Sequence, residues 1–92
     1  METGKYFIQS NSISSGQVFI DSLTGITFGI RHINYERLAT GSITLPNSQP
    51  LEFNEIQPGH KWNFTFNNRN FELTLIELNY LYDSFKVQLV EK

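Results

Sequence analysis

The sequence contains no cysteine. That absence removes disulfides, thiolate metal sites and thiol nucleophiles together, and it fits any redox compartment. Charge is scarce as well. Asp, Glu, Lys and Arg make up 17% of the 92 residues, below the roughly 25% usual for globular domains, so much of the surface falls to Asn, Ser and Thr. Seven Lys and Arg stand singly against nine Asp and Glu, giving a net charge of −2. No basic stripe of the kind that neutralises a phosphate backbone is present, which argues against general nucleic-acid binding. Long apolar runs are missing too: Met1-Glu2-Thr3-Gly4-Lys5 leads into a brief one only. Neither a signal peptide nor a membrane span is expected, and the cytoplasm is the default compartment.

The signatures of catalysis are equally thin. No Gly-x-Ser-x-Gly elbow occurs, and Ser14-Ser15-Gly16 lacks the flanking residues that would support a nucleophile. Glu52 and Glu55 are the nearest thing to a carboxylate pair, but they fall in a predicted loop. Gly25 and Gly29 precede no helix, so no glycine-rich phosphate cradle forms. His32 and His60 are the only imidazoles, and neither belongs to a metal-ligand motif, since Glu36 and Glu77 could approach them only through folding. The expectation is therefore no enzyme, no metal and no cofactor. Asn63-Phe64-Thr65 matches a glycosylation sequon, but it lies in a predicted strand of an Asn-rich chain.

What the chain does have is aromatic residues, at 14% with eight Phe. A chain this short buries only about 60–65% of its unfolded surface, and large rings let a thin core hide more apolar area per side chain. Alternating or β-branched stretches run over residues 5–9, 17–20, 26–33, 41–45, 61–66, 70–78 and 84–90. Leu51-Glu52-Phe53 has weaker strand character, and Leu78 to Tyr82 offers at most one helical turn. Turn chemistry falls between them: a Ser-rich reversal at Asn11 to Gly16, a loop at Asp21 to Gly25 closed by glycine, Pro58-Gly59 as the centre of a type II turn, and Asn67-Asn68 as a two-residue hairpin turn. Punctuation at this spacing predicts one all-β domain over 1–92, a compact six- to seven-stranded antiparallel sandwich or partly open barrel.

Two phrases repeat. Ile33-Asn34-Tyr35 and Leu78-Asn79-Tyr80 stand 45 positions apart (79 − 34 and 80 − 35), and the same offset lays Ile26, Phe28 and Ile30 on Phe71, Leu73 and Leu75. The spacing reads as two β-β-β units, over 16–45 and 59–90. In each, the last aliphatic residue stands three places beyond its predecessor rather than two, which strict alternation would put on the wrong face. A β-bulge near Arg31-His32 and another near Ile76-Glu77 would restore the phase.

For function, the sequence points to a non-catalytic interaction module. Tyr35, Tyr80 and Tyr82 cluster at the two equivalent turns beside Arg37, and that composition is enriched at interfaces if the turns share one rim. Strand edges, the C-terminal strand at 85–90 above all, offer a second route, to self-association as a homodimer or to strand addition by a protein partner. Lys5 and Lys86 read as guards of such edges. The competing expectation is a small-molecule binder, with Trp62, His60 or Arg69 lining a pocket for a nucleotide or sugar. An immunity-type protein that blocks a toxin is a third.

Overall fold

The computed structural model describes residues 5–92. Among them every regular element is a strand: β1 (Phe7–Gln9), β2 (Ile13–Ser14), β3 (Val18–Ile20), β4 (Thr27–Ile33), β5 (Ala39–Thr44), β6 (Leu51–Ile56), β7 (Lys61–Phe66), β8 (Arg69–Asn79) and β9 (Ser84–Glu91). They form two antiparallel sheets, one ordered β3-β4-β5-β6 and the other β1-β9-β8-β7, with β2 also paired to β9. This is a small β-sandwich. Nine strands replace the expected six or seven. The extra pair is β2, inside the Ser-rich stretch at Asn11 to Gly16, and β6, which continues from Leu51 to Ile56.

Alternation explains the packing. Phe28 and Ile30 on β4 face Phe71, Leu73 and Leu75 on β8, with Phe85, Val87 and Leu89 on β9, and all are almost wholly removed from water. Each such side chain contributes about 1.5–3 kcal/mol by burial. Phe28 is the hub: its ring stacks on Phe53 at 5.3 Å and meets Trp62 and Phe85 edge-on at 5.2 and 5.6 Å. It thereby joins β4 and β6 of one sheet to β7 and β9 of the other.

The ladder slips by one residue between Ile30 and His32 on β4, and between Leu75 and Glu77 on β8. Arg31 and Ile76 are the extra residues, where the three-place jump requires them. Beyond the bulges Ile33 and Leu78 return to the core, 3% and 8% exposed. The turns follow their residues. Asn67 and Asn68 both take positive φ, 51° and 63°, closing β7 onto β8 with Phe66 opposite Arg69. Gly59 sits at φ 100° in the turn that His60 closes by donating its N–H to the Gln57 carbonyl. Gly25 sits at φ 78° where the β3–β4 loop ends.

One expectation is corrected. The C-terminal strand is not an edge: β9 lies between β8 and the N-terminal strands, with Phe7, Ile8 and Gln9 opposite Val90, Leu89 and Gln88 and then Ile13 and Ser14 opposite Phe85 and Ser84. Lys86 therefore guards no edge. Where β1 gives way to β2, Ser10 keeps the ladder closed, its N–H donating to the Val87 carbonyl and its Oγ accepting from the Val87 N–H. The open flanks belong to β3 and β6 in one sheet and to β7 and the β1–β2 pair in the other.

Candidate functional site

The two repeated Asn-Tyr phrases open the β4–β5 and β8–β9 turns, and each Asn folds its own turn. Asn34 Oδ1 accepts from the N–H groups of Glu36 and Leu38, both at 3.0 Å, while the Arg37 N–H donates to the Asn34 carbonyl at 2.8 Å. Asn79 Oδ1 accepts from the Tyr82 N–H at 3.1 Å. This side-chain mimicry of a backbone turn is what short polar residues do best. It leaves Arg37 and Asp83 in the left-handed region, at φ 64° and 53°. Asp83 is tied to the β2–β3 turn: Ser15 Oγ donates to its Oδ1 at 2.7 Å and the Ser15 N–H to its carbonyl at 2.8 Å.

The sandwich brings these two turns together at one end. Arg37 from β4–β5 shares a concavity of about 240 Å³ with Leu78, Asn79, Tyr80 and Leu81 from β8–β9. The same two turns carry apolar groups that a lone chain leaves in water: Tyr35 is 77% exposed, Tyr82 78% and Leu81 86%. Tyr80 is exposed to a lesser degree, 44%. Scattered exposed hydrophobic residues are ordinary, but four of them on two adjoining turns form a patch. Leu81 was not picked out from sequence. Its signal was present, an aliphatic residue inside a four-residue polar turn where nothing local calls for one.

The remaining candidates go elsewhere. Trp62 packs inward on Phe28 and Phe53, and the exposed His60 ring rests against it with centroids 4.5 Å apart. Arg69 stands at the other end of the β7–β8 hairpin from Trp62, since Trp62 pairs with Leu73 and Arg69 with Phe66. There its guanidinium forms two bonds to Glu91, at 3.0 and 2.9 Å, over the Phe71 ring. That hydrogen-bonded ion pair, helped by the Tyr6 N–H on Glu91 Oε1, lowers the Glu91 carboxyl to about 2 and raises the Arg69 guanidinium. Tyr6 also donates its hydroxyl to Asp21 at 2.6 Å. Asp21 is buried and accepts in addition from the N–H and Oγ1 of Thr24. These groups lock the N-terminal strand onto the sandwich.

A second concavity, of about 370 Å³, is lined by Asn63, Phe64, Thr65, Asn70, Phe71 and Lys92. The charge of Lys92 is engaged there, because its Nζ meets Glu72 at 3.1 Å, with Lys61 on the same carboxylate at 3.4 Å. The Lys92 bond, then Lys61, holds that carboxyl below its usual range. Among the described residues no group of three or more His, Asp or Glu side chains is placed to hold a metal ion. No helix among them is long and apolar enough to cross a membrane. Compared with family models, curated proteins and solved structures, the chain matches none.

Proposed function

We propose that the protein is a non-catalytic interaction module that binds a protein partner through the rim formed by the β4–β5 and β8–β9 turns. The observation that carries this reading is the concavity shared by Arg37, Tyr80 and the exposed Leu81, on two turns that also expose Tyr35 and Tyr82. Tyr, Arg and a leucine side chain around a small hollow are what a partner needs: large contact area at low entropic cost, one directional charge and room for an anchor. The two turns are fixed by their own hydrogen bonds to Asn34 and Asn79. A preorganised surface loses less on binding than one that must first be ordered.

The double substitution Leu81→Ser with Tyr82→Ser tests it. Both side chains are exposed, so the melting temperature is expected to stay within a few degrees of wild type. A partner cross-linked in cells to the wild type is expected to be retained by an Asn63→Ser control and lost from the double variant. Equal retention by all three proteins would refute the rim.

The larger hollow at Asn63, Thr65 and Asn70 supports a second reading, a binder of a small polar ligand such as a nucleotide or sugar. A thermal shift with one such ligand, abolished by Asn70→Ala and untouched by the rim variant, would favour it.

A further inference from the structure

We infer that the rim concavity receives an acidic side chain of the partner, an Asp or Glu in an extended peptide segment flanked by apolar residues. The inference rests on the rim being the binding face. It comes from an accounting of positive charge. Of the seven Lys and Arg, Arg31, Lys61, Arg69, Lys86 and Lys92 each lie within salt-bridge distance of a carboxylate of this chain. Lys5 adds its charge to the field that lowers Glu91. Arg37 and Lys5 make no ion pair among the described residues, and of the two it is Arg37 that stands at the wall of the concavity.

Another polar group of that wall, Asn79, also offers donors. Asn79 uses its Oδ1 to hold the Tyr82 N–H, which leaves its side-chain NH2 as the free half of the amide. Asp83, the nearest acid of the same turn, already accepts from Ser15. Glu36, next to Arg37 in sequence, forms no salt bridge to it, its backbone N–H being held by Asn34. Arg37 and Asn79 line one hollow and both carry donors without an acceptor among the described residues, and a carboxylate matches the guanidinium fork with two parallel bonds. One unpaired cation at the hollow, with Glu36 and Asp83 on the same turns, suits one negative charge and disfavours a polyanion. The exposed Tyr35, Leu81 and Tyr82 supply contact for the apolar neighbours of that acid.

A random peptide library displayed on phage, selected on immobilised protein in parallel with Arg37→Gln, tests the inference. Peptides carrying Asp or Glu between apolar residues are expected to be enriched on the wild type and not on the variant. For an enriched peptide made synthetically, changing its acid to the amide and changing Arg37 to Gln should each weaken binding about ten-fold, and the two losses together should not add. Amide resonances of 34–38 and 79–83 should shift. Enriched peptides without an acid that shift those same amides would overturn the carboxylate inference and leave the rim standing. Peptides that shift only the flanks of β1, β2, β3, β6 or β7, or no enrichment at all, would remove both. A concentration-dependent dimer that buries the rim would make the occupant a second copy and overturn the inference as well. Because Arg37 is exposed, the variant is expected to fold, and its unchanged spectrum away from the rim is the control.

Discussion

Arg31 and Ile76 hold the same place in two strands: each is the extra residue of a bulge in the long central strand of its sheet, with Ile30 and Leu75 just before it paired to Gly41 and Val87. The bulge lets two consecutive residues face outward as one. Deleting Ile76 would therefore leave alternation intact, with Leu75 inward, Glu77 outward and Leu78 inward, while straightening the strand. Deleting Glu72 from the same strand would instead, with Phe71 and Leu78 kept inward, turn Leu73 and Leu75 outward and Thr74 inward. The first deletion is expected to give a folded protein with a lowered but cooperative urea transition, and the second no cooperative transition. Equal damage from both would mean that the bulge does not set the phase.

Arg37 carries a cost in the turn it occupies. A non-glycine residue in the left-handed region loses roughly 1–2 kcal/mol relative to the right-handed one, and Arg lacks the short polar side chain that eases Asn and Asp into it. Arg37→Gly removes this strain but adds chain entropy to the unfolded state, so a net gain of about 0.5–1 kcal/mol is expected. For a domain of this size that is about 3–6 °C in melting temperature. The same variant should lose the acidic peptide as completely as Arg37→Gln does. A rise in stability with loss of binding is the mark of strain kept for function. A fall in melting temperature would show that the side chain itself supports the turn.

Gly41 answers a different need. It pairs with Ile30 at the β4 bulge, and a Cβ there would run into the carbonyl oxygen of Gly29 and lie 2.8 Å from the Ile30 Cα. Both obstacles are backbone, so no rotamer relieves them. Gly41→Ala is expected to cost about 3 kcal/mol or more, a large part of the stability of a domain this small. At Gly25, by contrast, no atom stands within 4 Å of the added carbon, and Ala there meets only the strain of positive φ, about 1–2 kcal/mol. Urea midpoints of the two variants should rank in that order.

The contrast between these residues shows which parts of the fold the sequence made legible. Bulges at Arg31 and Ile76, the Asn67-Asn68 hairpin and the Pro58-Gly59 turn are local events. Each is written in the few residues that perform it, as a jump in apolar spacing or as a side chain that tolerates positive φ. Strand order is not local. The alternation of Phe85, Val87 and Leu89 looks the same whether β9 lies at an edge or inside, and only the pairing with Phe7–Gln9 and Ile13–Ser14 decides it. The rim was half legible for the same reason. Tyr35 and Tyr80 could be matched by their repeated context, but the hollow between Arg37 and Leu81 exists because two sheets stack with these turns at one end. Trp62 read as a surface platform as easily as a core ring until Phe28 and Phe53 were seen against it.

The least legible contacts, Tyr6 with Asp21 and Arg69 with Glu91, give the sharpest dependence on pH. The Tyr6 hydroxyl must keep its proton to donate to Asp21, and that bond, then burial and the carboxylate charge, push it up to about 12 from the usual 10. A raised value means that the proton is held more tightly in the folded state. Its stabilising effect is complete below pH 10 and disappears between pH 10 and 12. Glu91 is the reverse case. Held at about 2 by the Arg69 hydrogen bonds and the Tyr6 N–H, against an ordinary 4.5, it stabilises fully above pH 4.5 and loses its effect as the pH falls toward 2. Tyr6→Phe should therefore lower the urea midpoint at neutral pH, by about 1–2 kcal/mol for the bond that Asp21 loses, and flatten the decline above pH 10. Ultraviolet titration of the variant should lack one late-ionising tyrosine. Glu91→Gln should flatten the decline between pH 4.5 and 2 and leave the alkaline limb in place. The two contacts join at Tyr6, whose N–H bonds Glu91 while its hydroxyl bonds Asp21, so the double variant should lose less than the two single losses combined. Strict additivity would mean that the N-terminal strand is held by two independent clasps rather than by one.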